Sequence, residues 1–246
     1  MPAVIHFVFR SANQNFNEAS VTTELFLQVF QGLSYLLLLV VLVLLWIRVA
    51  RRAVPRSFWL FLALAWTLNL GGTLAWIAHD LLTGSPLETF SSVDLFYVSR
   101  YLVLGLALWR FPAPLPRRAA LGPFLAGLTA FALLGALYLS PFWVTKTGGW
   151  VDFGGYALYP ILDASLVTLA ALRLRAAWRS TWSRPSGLFF GAILCYGLAN
   201  TLNFIEYALF PISGGLLPGL LWTLTDVCIL LLAWLATPQS ADRQAL

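Results

Sequence analysis

The positions of the basic residues constrain the fold of this chain more than any other sequence feature. Twelve of the fifteen lysine and arginine residues follow every second apolar run or lie in the C-terminal tail: Arg48, Arg51, Arg52, Arg56, Arg110, Arg117, Arg118, Arg173, Arg175, Arg179, Arg184 and Arg243. The alternate connections carry Asp80, Glu88 and Asp152, with Lys146 as their only base. Basic residues are retained on the cytoplasmic side when helices insert into a membrane. The alternation therefore predicts a membrane protein with its N-terminus outside and its C-terminus in the cytoplasm.

The composition agrees with a membrane protein. The chain has 246 residues, of which 60% are hydrophobic and 10% charged, and a mean hydropathy of +0.81. A soluble domain needs a more polar surface than this. The net charge of +5 does not indicate nucleic-acid binding, because the arginines flank apolar runs instead of forming one solvated face. We expect them at anionic headgroups, with membrane lipids as partners.

Seven apolar segments are long enough to cross a hydrocarbon core of about 30 Å, which takes roughly 20 helical residues. The predicted spans are 24–47, 58–82, 92–111, 119–140, 156–177, 187–210 and 216–236. The predicted fold is thus an all-α integral membrane protein, a seven-transmembrane helix bundle over residues 21–237. We expect an extracytoplasmic N-terminal segment over 1–20, a short cytoplasmic tail over 238–246, and a location in the cell's inner or plasma membrane.

Polar residues recur at helical spacing inside these apolar segments. Offsets of three, four and seven place side chains on one face of a helix. Such stripes include Trp66, Asn69, Thr73 and Trp76 in the second segment and Tyr196, Asn200, Asn203 and Tyr207 in the sixth. Estimated depths place the acidic members in the outer half of the bundle, which predicts an acidic and polar cavity that opens outward. The candidate ligand-binding residues are Asp94, Tyr97, Arg100, Tyr159, Asp163, Asn200, Asn203, Glu206, Trp222 and Asp226.

A structural role must be weighed against ligand binding for each of these residues. Asn, Tyr, Thr and Trp often join transmembrane helices by hydrogen bonds, and for any single residue that role is the more common one. The whole set, with four acids and Arg100, favours a functional cavity because ionisable groups are costly in lipid. An ion pair of Arg100 with Asp94 or Asp163 is the expected structural element.

Several classes of protein are excluded by residues that the chain lacks at the necessary positions. A retinal protein needs a lysine in the seventh helix, but Lys146, the sole lysine, lies in a predicted outer loop. His6 and His79 are isolated, and Cys195 and Cys228 have no metal-ligand spacing, so we expect neither a metal site nor a haem. No nucleotide-binding or nucleophile-elbow motif occurs, and no cofactor is expected.

Three short runs carry a resemblance to a known family: VDLFY at 93–97, YPILD at 159–163 and LWTLTD at 221–226. Together they resemble the multi-pass membrane input domains found ahead of diguanylate cyclase (GGDEF) domains in many bacteria. The likeness covers about residues 58–236. No cyclase, kinase or coiled-coil linker follows Thr237, so the resemblance implies a sensor-like bundle that stands alone or whose output is another protein.

The leading functional prediction is therefore a non-enzymatic membrane sensor or ligand-binding module. Its outer cavity would bind a small or lipidic ligand, and it would signal to a membrane or cytoplasmic protein partner. One alternative is a structural or accessory subunit of a larger membrane complex, in which the polar stripes hold helices together. Another is an intramembrane lipid-modifying enzyme that uses Asp163 and Asp226 as acid and base. A transporter is less favoured because the sequence has no clear inverted repeat.

Overall fold

A computed structural model of the protein describes residues 19–53, 55–84, 91–112, 150–208 and 216–236. Every regular element in these ranges is an α-helix, so the all-α prediction is confirmed for this part of the chain. The helices are α1 (Ala19–Ala50), α2 (Arg56–Thr83), α3 (Asp94–Trp109), α4 (Trp150–Ala177), α5 (Ser183–Ala208) and α6 (Leu216–Leu235). The predicted span 119–140, the tail 238–246 and nearly all of the segment 1–20 lie outside the described residues.

The six helices coincide with six of the predicted spans but differ from them at their ends. The largest difference is at α4, which begins at Trp150 and not at residue 156. An apolar run marks only the part of a helix that lies in hydrocarbon, whereas backbone hydrogen bonding continues into more polar sequence. The helices are therefore on average longer than the apolar segments that predicted them.

Four of the described helical segments are long and apolar enough to cross a membrane: Val29–Ala50 in α1, all of α2, Ser183–Asn203 in α5, and all of α6. They indicate a membrane protein. Helix α3 has 16 residues and is about 24 Å long, shorter than a typical hydrocarbon core. Helix α4 has 28 residues but carries Asp163, Arg173 and Arg175, which lower its hydropathy. The count of seven spans is therefore not reached within the described ranges.

Proline and glycine set both ends of α2. Pro55 precedes its first turn with extended backbone angles, φ −82° and ψ 124°, and needs no hydrogen bond from its nitrogen there. Gly84 ends the helix in the left-handed region at φ 61°, where its N–H donates to the Asp80 carbonyl. A glycine adopts this conformation without the penalty that a side chain would bring.

The six described helices pack in a closed ring. Each packs against the next in sequence, and α6 packs back on α1. Short connections favour antiparallel packing of α1 with α2, α2 with α3, α4 with α5 and α5 with α6. The closing contact includes a hydrogen bond of 2.7 Å between the Ser34 and Thr223 hydroxyls, on α1 and α6.

The described helices expose many large apolar side chains and bury several charged and amide ones. Large apolar side chains face outward on α1, among them Leu33 and Val43, which are 59% and 58% exposed. Charged and amide side chains lie inside: Arg100, Asp163 and Asn200 are 2%, 4% and 3% exposed. A contiguous apolar exterior suits a lipid environment, and buried ionisable groups in such a protein face the bundle interior.

Helix ends that are next to arginine-bearing connections meet at one end of the bundle. We name this the arginine-rich end. The Arg48 guanidinium at the end of α1 donates to the Trp234 carbonyl of α6 at 3.2 Å and lies 5.6 Å from the ring centre of Trp59 at the start of α2. Arg173 near the end of α4 donates to the Trp109 carbonyl of α3 at 2.7 Å.

Aromatic side chains fill the core at the arginine-rich end. The Phe58 ring packs edge-on against its neighbours with centroids 5.0 to 6.3 Å apart. This aromatic cluster consists of Phe58, Trp59, Phe111, Trp182 and Phe189. It joins the start of α2, the end of α3 and the start of α5.

Candidate functional site

Arg100 occupies the centre of the candidate site. It lies on α3 with its side chain almost fully buried. Its guanidinium carbon is 3.9 Å from the ring centre of Tyr196 on α5 and 5.0 Å from that of Trp66 on α2. Both distances are within the range of cation–π attraction. Two aromatic rings from different helices thus hold this cation.

The edge of the same guanidinium is not satisfied. Nε and Nη1 of Arg100 are buried and make no hydrogen bond within the described part of the chain. The predicted ion pair with Asp94 or Asp163 is likewise not formed among these residues. Arg100 therefore has unused N–H donors within the described residues.

In contrast to the Arg100 nitrogens Nε and Nη1, both carboxyl oxygens of Asp163 accept hydrogen bonds. Tyr101 Oη donates to Oδ1 at 2.6 Å, and Asn200 Nδ2 lies 3.1 Å and 3.2 Å from the two oxygens. Asn200 Nδ2 is also 2.8 Å from Tyr101 Oη, and Trp222 Nε1 donates to Asn200 Oδ1 at 3.1 Å. This network ties α3, α4, α5 and α6 together. It explains why Asp163 does not pair with Arg100.

Asp226 is joined to Arg100 through Trp66. The indole Nε1 of Trp66 donates to Asp226 Oδ1 at 2.8 Å, while the indole ring lies against the Arg100 guanidinium. One side chain of α2 therefore contacts a cation with its face and a carboxylate of α6 with its edge.

Asp94 lies at the end of the bundle away from the arginines, at the start of α3. Its Oδ2 accepts the Ser91 backbone N–H at 2.7 Å, and its Oδ1 accepts the Tyr159 hydroxyl. The Tyr101 ring lies between those of Tyr159 and Tyr196, with centroid separations of 6.0 Å and 5.8 Å. A row of tyrosine rings thus connects Asp94 to the ring that covers Arg100.

The structure brings together most of the predicted site residues. We name the polar cluster as the following set: Trp66, Arg100, Tyr101, Asp163, Tyr196, Asn200, Trp222 and Asp226. Asp94 and Tyr159 adjoin it through the tyrosine rings. Tyr97 packs with Trp76 and Val93 in a small separate core. Asn203 is buried on α5 one turn beyond Asn200.

Two parts of the predicted site are not tested. Glu206 belongs to α5, but its side chain lies outside the described residues. The outward-opening cavity stays a prediction as well. Within the described residues, no group of three histidine, cysteine, aspartate or glutamate side chains is arranged to hold a metal ion.

Trp66, Tyr101 and Tyr196 are absent from the predicted set of ligand-binding residues, although each contacts a central member of it. Their signal in the sequence is helical spacing: Tyr101 is seven residues after Asp94, Tyr196 four before Asn200, and Trp66 three before Asn69. Spacing assigns a face of one helix but not the residue opposite it, so it could not distinguish these rings from ordinary core aromatics.

Comparison of the chain with protein-family models, with curated proteins and with solved structures finds no match. The class that the fold defines is thus an all-α protein with membrane-length helices. The polar cluster is the feature of this fold that bears most directly on function.

Proposed function

We propose that the protein is an integral membrane sensor or ligand-binding module of the bacterial inner membrane. In this proposal seven helices cross the bilayer, with the N-terminus outside and the C-terminus in the cytoplasm. The polar cluster binds a small or lipidic ligand, and the arginine-rich end signals to a membrane or cytoplasmic partner protein. The resemblance of the runs around Asp94, Asp163 and Asp226 to membrane input domains of diguanylate cyclases belongs to the same proposal.

The proposed topology is supported by charge and packing together. Arg48 and Arg173 meet the other helices at the same end of the bundle, whereas Asp94 is at the opposite end. If the arginine-rich end is cytoplasmic, the arrangement follows the retention of basic residues during insertion.

The observation that carries the functional proposal is the state of Arg100. An arginine within a membrane protein is costly to bury, and one held there with unused donors costs more. Trp66 and Tyr196 lie against the guanidinium, and we expect a binding partner to approach Nε and Nη1, which have no hydrogen bond within the described residues. Such a partner needs an acceptor oxygen, as in a carboxylate, phosphate or carbonyl group. We therefore assign the ligand to molecules that carry one.

A route for signalling follows from the helices that hold Arg100. Trp66, Arg100 and Tyr196 lie on α2, α3 and α5, and these three helices meet again in the aromatic cluster. Trp66 is eight residues, or about 12 Å, from Phe58 along α2. A ligand that pulls on Arg100 would shift these helices relative to each other, and the shift would reach the arginine-rich end through packed rings.

The proposal is tested by comparing binding and stability in the same variants. Arg100→Leu removes the N–H donors, and Asp226→Asn removes a negative charge while keeping an acceptor for Trp66. Wild type and variants are purified from native membranes in mild detergent. Bound small molecules and proteins are identified by mass spectrometry, and thermal unfolding is measured on the same samples.

We expect the wild type to retain an oxygen-bearing small molecule or lipid and Arg100→Leu to lose it. The variant should still be folded and should show a single thermal unfolding transition. Gly105→Ala is a matched control, because Gly105 lies on the same helix and a Cβ added there meets no described atom within 4 Å. Equal retention of that molecule by Arg100→Leu and wild type would contradict the proposal.

A structural or accessory subunit remains the second candidate, and one observation favours it. The Asp163 network joins four helices by hydrogen bonds between its own side chains, as expected for residues that hold helices together. This candidate predicts that Arg100→Leu and Asp226→Asn both unfold without a selective binding defect, and that a partner protein copurifies in fixed proportion.

A further inference from the structure

A groove lies along one face of α4 at the arginine-rich end. Its volume is about 480 Å³. Ala171, Leu174, Arg175 and Trp178 line it at intervals of three, four and seven residues, which place them on one face of the helix. Ala176 and Arg179 complete the lining. The groove is well separated in sequence from Asp163, the α4 member of the polar cluster.

The groove is apolar toward the middle of α4 and cationic toward the end of the helix. Ala171 and Leu174 form the apolar part, and Arg175 and Arg179 follow it, with Trp178 exposed between them. The rise from residue 171 to residue 179 is about 12 Å along the helix. An apolar wall suits the acyl chain of a lipid, an exposed tryptophan suits the membrane interface, and the arginines suit an anionic headgroup.

The two groove arginines differ from others at this end in their contacts. Arg48 and Arg173 donate to backbone carbonyls of neighbouring helices. Neither the Arg175 nor the Arg179 guanidinium makes a hydrogen bond or ion pair within the ranges that the structure describes. Their charges are thus available to an external anion.

We propose that this groove binds one anionic phospholipid of the adjacent leaflet, with its phosphate held by Arg175 and Arg179 and an acyl chain against Ala171 and Leu174. The end of a helix has negative partial charge, so the backbone of α4 would oppose the anion here. The affinity must therefore come from the two arginine side chains. The inference does not depend on the ligand proposed for Arg100.

The test uses purified full-length protein and three probes: phosphatidylglycerol, phosphatidylcholine with the same acyl chains, and inorganic phosphate. Lipid retention is measured by native mass spectrometry, and thermal unfolding is measured with each probe. We expect phosphatidylglycerol to be retained and to stabilise the protein, because it binds only the folded state. We expect no such effect from phosphatidylcholine or phosphate.

Two variants separate the charge from the groove. Arg175→Gln/Arg179→Gln should weaken phosphatidylglycerol binding by about thirtyfold. Ala171→Phe should also weaken it, although it changes no charge. Arg51→Gln/Arg184→Gln is the matched control, since it removes two exposed arginines near the same end that do not line the groove.

Three results would overturn the inference. If Arg175→Gln/Arg179→Gln and Arg51→Gln/Arg184→Gln weakened phosphatidylglycerol binding equally, the lipid would be attracted to the whole basic surface and not to the groove. Stabilisation by phosphate equal to that by phosphatidylglycerol would show an anion site without a lipid. Undiminished binding by Ala171→Phe would exclude the groove as the place of the acyl chain. Unfolding measured without added lipid identifies a variant that fails to fold, in which case Leu174→Trp replaces Ala171→Phe.

Discussion

Individual buried polar residues in this protein fall into two groups. Asp163 and Asn200 are hydrogen-bonded to side chains of the protein. Arg100 lies against aromatic rings, and its Nε and Nη1 make no hydrogen bond within the described residues. A satisfied buried network stabilises a fold, and an unsatisfied buried group costs free energy that a ligand can recover. The two groups should therefore respond differently to substitution.

Tyr101→Phe tests the first group. The hydroxyl donates to Asp163 and lies within hydrogen-bonding distance of Asn200 Nδ2. Its removal therefore takes one hydrogen-bond partner from each of these two buried side chains. We expect the free energy of unfolding to fall by about 1–3 kcal/mol, measured by denaturation in mixed micelles. Ser165→Ala is the control, because that hydroxyl donates to the Ile161 carbonyl of its own helix and joins no second helix among the described residues. Equal stability of Tyr101→Phe and Ser165→Ala would show that the network contributes nothing.

At the scale of the elements, the contact of α2 with α3 depends on a pair of glycines. A Cβ added at Gly72 would lie 2.9 Å from Tyr97 Cζ and 3.2 Å from Phe96 Cβ, and one at Gly71 would lie 3.1 Å from the Phe96 ring. Small residues let helices approach closely in membrane proteins. This close approach helps to set the position of α3, which carries Arg100.

We expect Gly72→Ala to force the two helices apart and to lower the free energy of unfolding by about 1–3 kcal/mol. Gly105→Ala, on α3, is the matched control, because a Cβ there meets no atom within 4 Å. It should leave stability unchanged or raise it slightly, since alanine favours helix more than glycine does. The measurement is thermal unfolding of both variants in one detergent. If Gly72→Ala were as stable as Gly105→Ala, the packing of α2 against α3 would not depend on the missing side chain at position 72.

For the whole molecule, the closed ring predicts a specific cross-link between α1 and α6. Ser34→Cys/Thr223→Cys, in a chain with alanine at positions 195 and 228, should form an intramolecular disulfide under mild oxidation. The reason is that the two hydroxyl oxygens lie 2.7 Å apart in the structure. The readout is the thiol count by mass spectrometry, and each single variant controls for links between molecules. Two free thiols after oxidation would contradict ring closure.

The proposed topology is a second prediction about the whole molecule. Single cysteines replace Lys146, Asp152, Arg117 or Arg179 in the same cysteine-free chain and are treated with an impermeant thiol reagent. We expect labelling from outside at 146 and 152, and only after membrane disruption at 117 and 179, because of the arginine asymmetry. Labelling of position 117 in intact cells would contradict the proposed orientation and indicate the opposite one.

The sequence could predict the helices and much of the site because both leave periodic signals along one segment. Apolar runs located α1 to α6, and spacings of three, four and seven residues grouped Tyr196, Asn200 and Asn203 on one face of a helix. What faces Arg100 could not be predicted, since Trp66 and Tyr196 lie on other helices and sequence spacing does not fix how helices are rotated. The expected ion pair of Arg100 with Asp94 or Asp163 is not formed among the described residues. Ser91 and Tyr159 donate to Asp94 there, and Tyr101 and Asn200 donate to Asp163.

The central claim is that Arg100 keeps its edge for a molecule outside the chain. The most direct measurement is an experimental structure of the wild-type protein in nanodiscs made from native membrane extract, at a resolution that shows side chains. The account predicts non-protein density within hydrogen-bonding distance of Nε or Nη1, with Trp66 and Tyr196 still against the guanidinium. An Arg100 edge paired with Asp163, Asp226 or another side chain of this protein, with no other density, would contradict it.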